Sequence, residues 1–175
     1  IRIDDQLCKQ GKGITLYSSF KQNLKGDKMY TVFEDSEGDE WILTNKGISI
    51  IGKKQVDSDF PFQYIKEADG IIYLVSQSDK LASYNFKTRQ FKFIEIPYHV
   101  SMINEVKKFD SNTLLLATDN GLIIYKIKEK EFQLIDIRTS TQPSSVVQSV
   151  YQDHYKELWI FPQTCLLYTS PSPRD

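Results

Sequence analysis

Histidine is scarce, net charge is nearly absent, and long apolar runs are missing. Two histidines, His99 and His154, stand in 175 residues, and neither belongs to a recognisable Ser/His/Asp or Cys/His set. A formal charge of −1 gives no electrostatic case for nucleic acid or an anionic membrane. No stretch approaches the roughly 20 apolar residues that span a bilayer as a helix. A sustained 3.6-residue period is also lacking, so almost no helix is expected. The chain opens on Ile1 without a signal-peptide pattern, which reads as a fragment whose start lies upstream.

What is present is aromatic and β-favouring. Phe, Tyr and Trp make up 13% of the residues, and 40% are hydrophobic, a composition that suits strands packed between sheets. The organising stretch is Val32–Ile51, VFEDSEGDEWILTNKGISII. A strand ending at Phe33–Glu34 meets the turn Asp35-Ser36-Glu37-Gly38, where an Asp can cap its own backbone and a Gly can take positive φ. Trp41–Thr44 is a short apolar strand, Asn45-Lys46-Gly47 turns the chain, and Ile48–Ile51 runs back. Two short turns joining three strands make an antiparallel meander.

The meander recurs. Asp153 precedes Trp159 by the six positions that separate Asp35 from Trp41. Thr118 and Gly121 match Thr44 and Gly47, with Leu115 in the place of Trp41. A weaker copy sets Gly70 for Gly38, Tyr73 for Trp41 and Ser76 for Thr44. The anchors 41, 73, 115 and 159 are spaced 32, 42 and 44 residues apart. A period of about 40 residues with four short strands marks β-propeller blades. The expected fold is therefore all-β: a partial propeller of three to four four-stranded antiparallel blades in an incomplete ring. Residues 1–27 read as the end of a preceding blade, 28–58 as blade one, 59–97 as blade two, 98–142 as blade three and 143–164 as a truncated blade four. Pro61, Pro97 and Pro143 each fall just before an expected inner strand, which suits a residue that cannot donate to a central ladder.

Residues 165–175, CLLYTSPSPRD, resemble the translated read-through of a sequencing adapter and are set aside. Cys8 is then the one remaining cysteine, too few for a disulfide framework or a cysteine zinc site. Gln10-Gly11-Lys12-Gly13 lacks phosphate-loop spacing and reads as a hairpin turn.

The motif D-x-x-G-x-x-W-h-h-T-x-x-G, carried by Asp35, Gly38, Trp41, Thr44 and Gly47, resembles the two-component regulator propeller repeat. The likeness covers most of residues 12–161 and is sharpest in blade one; in blade four Lys156 replaces the glycine. The resemblance implies the periplasmic sensor region of a hybrid two-component regulator of the kind found in Bacteroides-type bacteria. Oligosaccharides are the implied ligand and carbohydrate-use genes the implied output. It further implies a homodimeric full-length form, a membrane segment further along, and a histidine kinase that this chain does not carry. An enzyme such as a propeller polysaccharide lyase, or an adhesion module, is the alternative on the same fold.

Trp41 and Trp159 are expected to pack between blades, stacking on a sugar being the sharper alternative. The carboxylates of Glu34–Glu40 lack calcium-loop spacing, and neighbouring carboxylates on a turn do not make a glycosidase pair. No catalytic residue, metal site or cofactor is expected. Tyr98 and His99, in the crossing loop after Pro97, are the candidate ligand contacts, because such loops rim the face where propellers bind.

Overall fold

The computed structural model describes residues 2–3, 14–15, 24–52, 58–68, 70–76, 78–85, 88, 90–141, 143–155 and 157–163. Cys8, the Gln10–Gly13 turn and residues 165–175 lie outside them. The described residues form antiparallel strands and no helix, so none of them makes a helix long and apolar enough to cross a membrane. The strands are β1 (Arg2–Ile3), β2 (Ile14–Thr15), β3 (Met29–Glu34), β4 (Glu40–Thr44), β5 (Gly47–Ile51), β6 (Tyr64–Ala68), β7 (Ile71–Val75), β8 (Leu81–Asn85), β9 (Gln90–Ile94), β10 (Ile103–Lys108), β11 (Thr113–Thr118), β12 (Gly121–Lys126), β13 (Glu131–Ile135), β14 (Val147–Gln152) and β15 (Leu158–Pro162).

Every sheet is a meander in chain order: β1-β2, β3-β4-β5, β6-β7-β8-β9, β10-β11-β12-β13 and β14-β15. None closes on itself, and the all-β meander architecture expected from the repeat is the one observed. The first full repeat shows three strands rather than four, and a fourth would fall at residues 53–57, outside the described residues. In the sequence, Phe62–Ile65 reads as the inner strand of the second repeat; the observed strand starts at Tyr64, two residues later. Phe62 is instead a buried core side chain before the strand, its amide donating to the Phe60 carbonyl.

Burial explains which sequences became which strands. The central strands β4 (EWILT) and β11 (TLLLAT) are covered on both faces and are apolar almost throughout. The outer strands β9 and β13 hold only exposed and half-buried positions and no buried one, as suits a sheet edge.

The chain divides into two compact units. The first, residues 1–76 and 81–93, holds a core of Trp41, Leu43 and Ile48 packed with Phe62, Ile65, Ile72, Leu74, Ala82 and Tyr84. The Tyr84 ring stands edge-on to the Trp41 indole, centroids 5.5 Å apart. In the second unit, residues 77–80 and 94–175, Leu115, Ala117 and Leu122 pack with Val147 and Val150, joined by Leu158 and Ile160. Each large apolar side chain fully buried in this way stabilises its unit by about 1.5–3 kcal/mol.

Candidate functional site

The Asp–Trp spacing has a direct physical cause. Asp35 Oδ1 accepts the amides of Glu37 and Asp39, at 2.9 and 3.1 Å, which closes the β3–β4 turn. Its Oδ2 accepts the indole N–H of Trp41 at 2.8 Å. Asp153 repeats the arrangement between β14 and β15. Its Oδ1 takes the Tyr155 and Glu157 amides, each at 2.9 Å, and its Oδ2 takes the Trp159 indole at 3.0 Å. The Trp159 indole is the main reason the Asp153 carboxyl lies below its usual range; partial desolvation opposes it and the Glu157 and Tyr155 amides add to it. Six residues is thus the distance from a turn-capping carboxylate to the ring whose N–H it satisfies.

The surroundings of the two indoles differ. Trp41 is fully buried, whereas Trp159 is 53% exposed. Inter-blade packing is therefore realised at Trp41 and not at Trp159. The following repeat brings Phe62, Ile72 and Tyr84 into the same core cluster as Trp41, while no described sheet covers the Trp159 face of β14–β15.

A second device holds the Thr-x-x-Gly turns. The Thr44 hydroxyl donates to the Gly47 carbonyl at 3.0 Å and accepts the Lys46 amide. Thr118 does the same with the Gly121 carbonyl, at 2.8 Å, and the Asn120 amide. Gly47 and Gly121 have φ of 124° and 110°. A Cβ at Gly47 would lie 2.0 Å from the Ser58 carbonyl oxygen, and one at Gly121 2.5 Å from that of Ile135. Close backbone approach and positive φ both demand glycine there. Gly38 and Gly70 also have positive φ, at 84° and 68°, but open space around them.

The residue after each Thr fastens the entry to the inner strand. Asn45 N–H donates to the Lys28 carbonyl and its side-chain oxygen accepts the Lys28 amide. Asp119 N–H donates to the Met102 carbonyl and its carboxylate accepts the Ser101 amide. Asn120 adds a bond from its side-chain Nδ2 to the His99 carbonyl at 3.0 Å. The crossing loop that holds Tyr98 and His99 is therefore tied to the β11–β12 turn at two places.

Of the two candidate ligand contacts, Tyr98 is half-buried and its hydroxyl donates to the Phe132 carbonyl at 3.0 Å, a bond that anchors the loop on β13. His99 is exposed, and no hydrogen bond from its imidazole to another described residue is present. Its backbone is fixed while its ring faces solvent. Tyr73, the counterpart of Trp41 in the second repeat, is buried in β7. His154 is exposed in the β14–β15 turn against Tyr155.

Sequence reasoning missed a third set of residues. Each of β3, β10 and β14 carries an extra residue near its start, since the register slips between Met29 and Thr31, Ile103 and Glu105, and Val147 and Ser149. Tyr30, Asn104 and Gln148 are the extra residues of these bulges. The next position reaches the following inner strand. Thr31 donates to the Gln63 carbonyl at 2.7 Å, and Glu105 accepts the Ser149 hydroxyl at 2.8 Å and the Val150 amide at 3.0 Å. Burial pushes the Glu105 carboxyl up, but the Val150 amide, Ser149 and Lys107 together outweigh it and hold it below its usual range. No glycine marks these bulges, so only their equal offset of 11 residues from the anchor positions 41, 115 and 159 could have revealed them.

The carboxylates of Glu34–Glu40 are likewise engaged. Asp35 spends both oxygens as above, and the Ser36 amide and hydroxyl of the same turn bind Glu67. Among the described residues no group of three or more His, Cys, Asp or Glu side chains is placed to hold a metal ion.

No family model and no curated protein matches the sequence. Solved structures do. The extracellular domain of BT3049, a hybrid two-component system of Bacteroides thetaiotaomicron, superposes with a TM-score of 0.68 at 22% identity, over 91% of this chain and 22% of that one. The extracellular domain of BT4673, a one-component system of the same organism, gives 0.67 at 19% identity, over 87% and 23%. The fold is that of a β-propeller segment. Virginiamycin B lyase from Staphylococcus aureus shares it, with a TM-score of 0.61 at 17% identity over 76% of this chain and 48% of that one. The chain spans under a quarter of the length of the two Bacteroides domains.

Proposed function

We propose that this propeller segment belongs to the ligand-sensing region of a hybrid two-component regulator, lies in the periplasm, and reads oligosaccharides in order to control carbohydrate-use genes. The observation that carries the reading is the division of labour among the repeat residues. Asp35, Trp41, Thr44 and Gly47, with Thr118, Gly121 and Asp153, are occupied in holding turns and sheets. That leaves recognition to the loops. In the second unit the Tyr98–Ser101 loop is tied down by Asp119, Asn120 and the Phe132 carbonyl, and it presents the His99 imidazole to solvent. A fixed backbone with a free polar ring suits sugar hydroxyls, which reward preorganised donors and acceptors. The names of the Bacteroides neighbours support the sensor assignment and the extracytoplasmic location.

The test is calorimetric titration of the complete extracytoplasmic region with a panel of plant and host oligosaccharides. One saccharide is expected to bind, and His99→Ala is expected to weaken it about tenfold, the worth of one hydrogen bond of about 1.4 kcal/mol. Binding by none of the panel would remove the oligosaccharide reading. Release of unsaturated sugar products would replace it with a lyase.

A further inference from the structure

In the second unit β10 and β14 each stand at the edge of their own sheet, so no backbone ladder joins them. In β14–β15 the Asp153 N–H donates to the Glu157 carbonyl, and hydrogen-bonded pairs alternate along an antiparallel ladder. Tyr151–Trp159 and Ser149–Phe161 are therefore hydrogen-bonded pairs, and Val150–Ile160 is not. The Val150 amide thus points away from β15, out of the free edge of the sheet.

Side chains of β10 close that edge. Asn104 Nδ2 donates to the Val147 carbonyl at 2.8 Å. Glu105 Oε2 accepts the Val150 amide at 3.0 Å and the Ser149 hydroxyl at 2.8 Å. Between these points lies Gln148, the extra residue of the β14 bulge. The first unit closes the corresponding edge differently. Counting back from the anchors Tyr73 and Trp159, and past the bulge residue, sets Gln63 against Val147. The Gln63 carbonyl takes a bond from the Thr31 hydroxyl at 2.7 Å, and β6 pairs with β7 in unbroken register. A neutral hydroxyl meets a regular strand, and a carboxylate meets a bulged one.

The groups around Glu105 set how it titrates. Lys107 Nζ lies 3.2 Å from its Oε1. β11, which packs on β14 through Leu115 and Ala117, carries no ionisable side chain, and the ionisable residue of β14, Tyr151, is neutral in acid. Burial raises the Glu105 carboxyl, but the Val150 amide, Ser149 and Lys107 outweigh it and hold it below its usual range. Its bonds are thus complete above the ordinary glutamate range and are lost as pH falls through the lowered value.

We infer that Asn104 and Glu105 form a latch from β10 onto the bulged segment of β14, and that neutralising the Glu105 carboxylate releases this edge while the apolar core of the second unit stays closed. The Thr31 contact of the first unit has no such release.

The test is amide hydrogen exchange, read by NMR on this chain, with each rate divided by the intrinsic rate at the same pH. Val150 should lose protection about tenfold or more, the worth of a hydrogen bond to a charged group, in Glu105→Ala at neutral pH and in the unaltered chain in acid. Tyr151 and Trp159 should keep theirs. Glu105→Gln retains an acceptor without a charge, so its Val150 protection should be partial and flat with pH. Thr31→Val should leave the Val150 profile unchanged. Full Val150 protection in Glu105→Ala would overturn the inference. So would an acid loss that persists in Glu105→Gln. A loss that Val150 shares with Tyr151, Trp159 and the β12 amides at one pH would overturn it too, because that is unfolding of the unit and not release of an edge.

Discussion

Asp35 and Asp153 make the same three side-chain hydrogen bonds in different company, which separates local from tertiary effects. Replacing Asp35 with Ala strands the Trp41 indole N–H inside a core. The expected cost is about 1–3 kcal/mol, the price of a buried donor left unsatisfied, measured as a lower urea midpoint with an unchanged slope. Asp153→Ala leaves the indole open to water and should shift the midpoint far less. The Asp153 carboxyl also predicts a pH response. Its folded value lies below the unfolded one, so its stabilisation is complete above the ordinary carboxylate range and is lost as pH falls through the lowered value. The Trp159 indole proton, followed by NMR, should hold its shift through the ordinary carboxylate range and move only under stronger acid, whereas in Asp153→Asn it should not titrate. Asp136, lowered to about 2 by its ion pair with Arg138, is exposed and should titrate at still lower pH without moving that proton.

At the scale of the hairpin, the glycines divide by what surrounds them. Gly47→Ala brings a Cβ against the Ser58 carbonyl at a φ of 124°, and a loss well above 1 kcal/mol is expected. Gly38→Ala meets no neighbour and carries only the conformational penalty of positive φ, so its melting temperature should fall less. The strand pattern was legible in the sequence because β4, β7, β11 and β12 are apolar runs bounded by Asp, Asn and Gly. The Asp–Trp spacing was visible too, but not its cause, since a spacing does not reveal that one oxygen caps a turn while the other binds an indole. The inner-strand bulges were hidden for a different reason. Tyr30, Asn104 and Gln148 are not one residue type, a phenol beside two carboxamides, and the extra residue is defined only by its partner strand. The bond from the Tyr98 hydroxyl is not legible in the sequence either, because the Phe132 carbonyl that receives it lies 34 positions away.

For the molecule as a whole, the two units carry separate apolar clusters, one around Trp41 and Tyr84 and one around Leu115 and Val150. Leu43→Ala, a large-to-small change at a fully buried site, is expected to cost about 2–5 kcal/mol. Hydrogen exchange should register the loss in β4, β7 and β8 and leave β11 and β12 near their original protection, as expected for sites without shared partners. Equal acceleration in both clusters would show one cooperative unit instead.

The bond from Asp35 to the Trp41 ring lies wholly within one hairpin, and so does its twin at Asp153. A duplicated hairpin therefore arrives with its indole donor already answered and asks no polar partner for that ring from its new neighbour. Copy number along the gene can then rise or fall by unequal recombination without this one polar contact having to be reinvented.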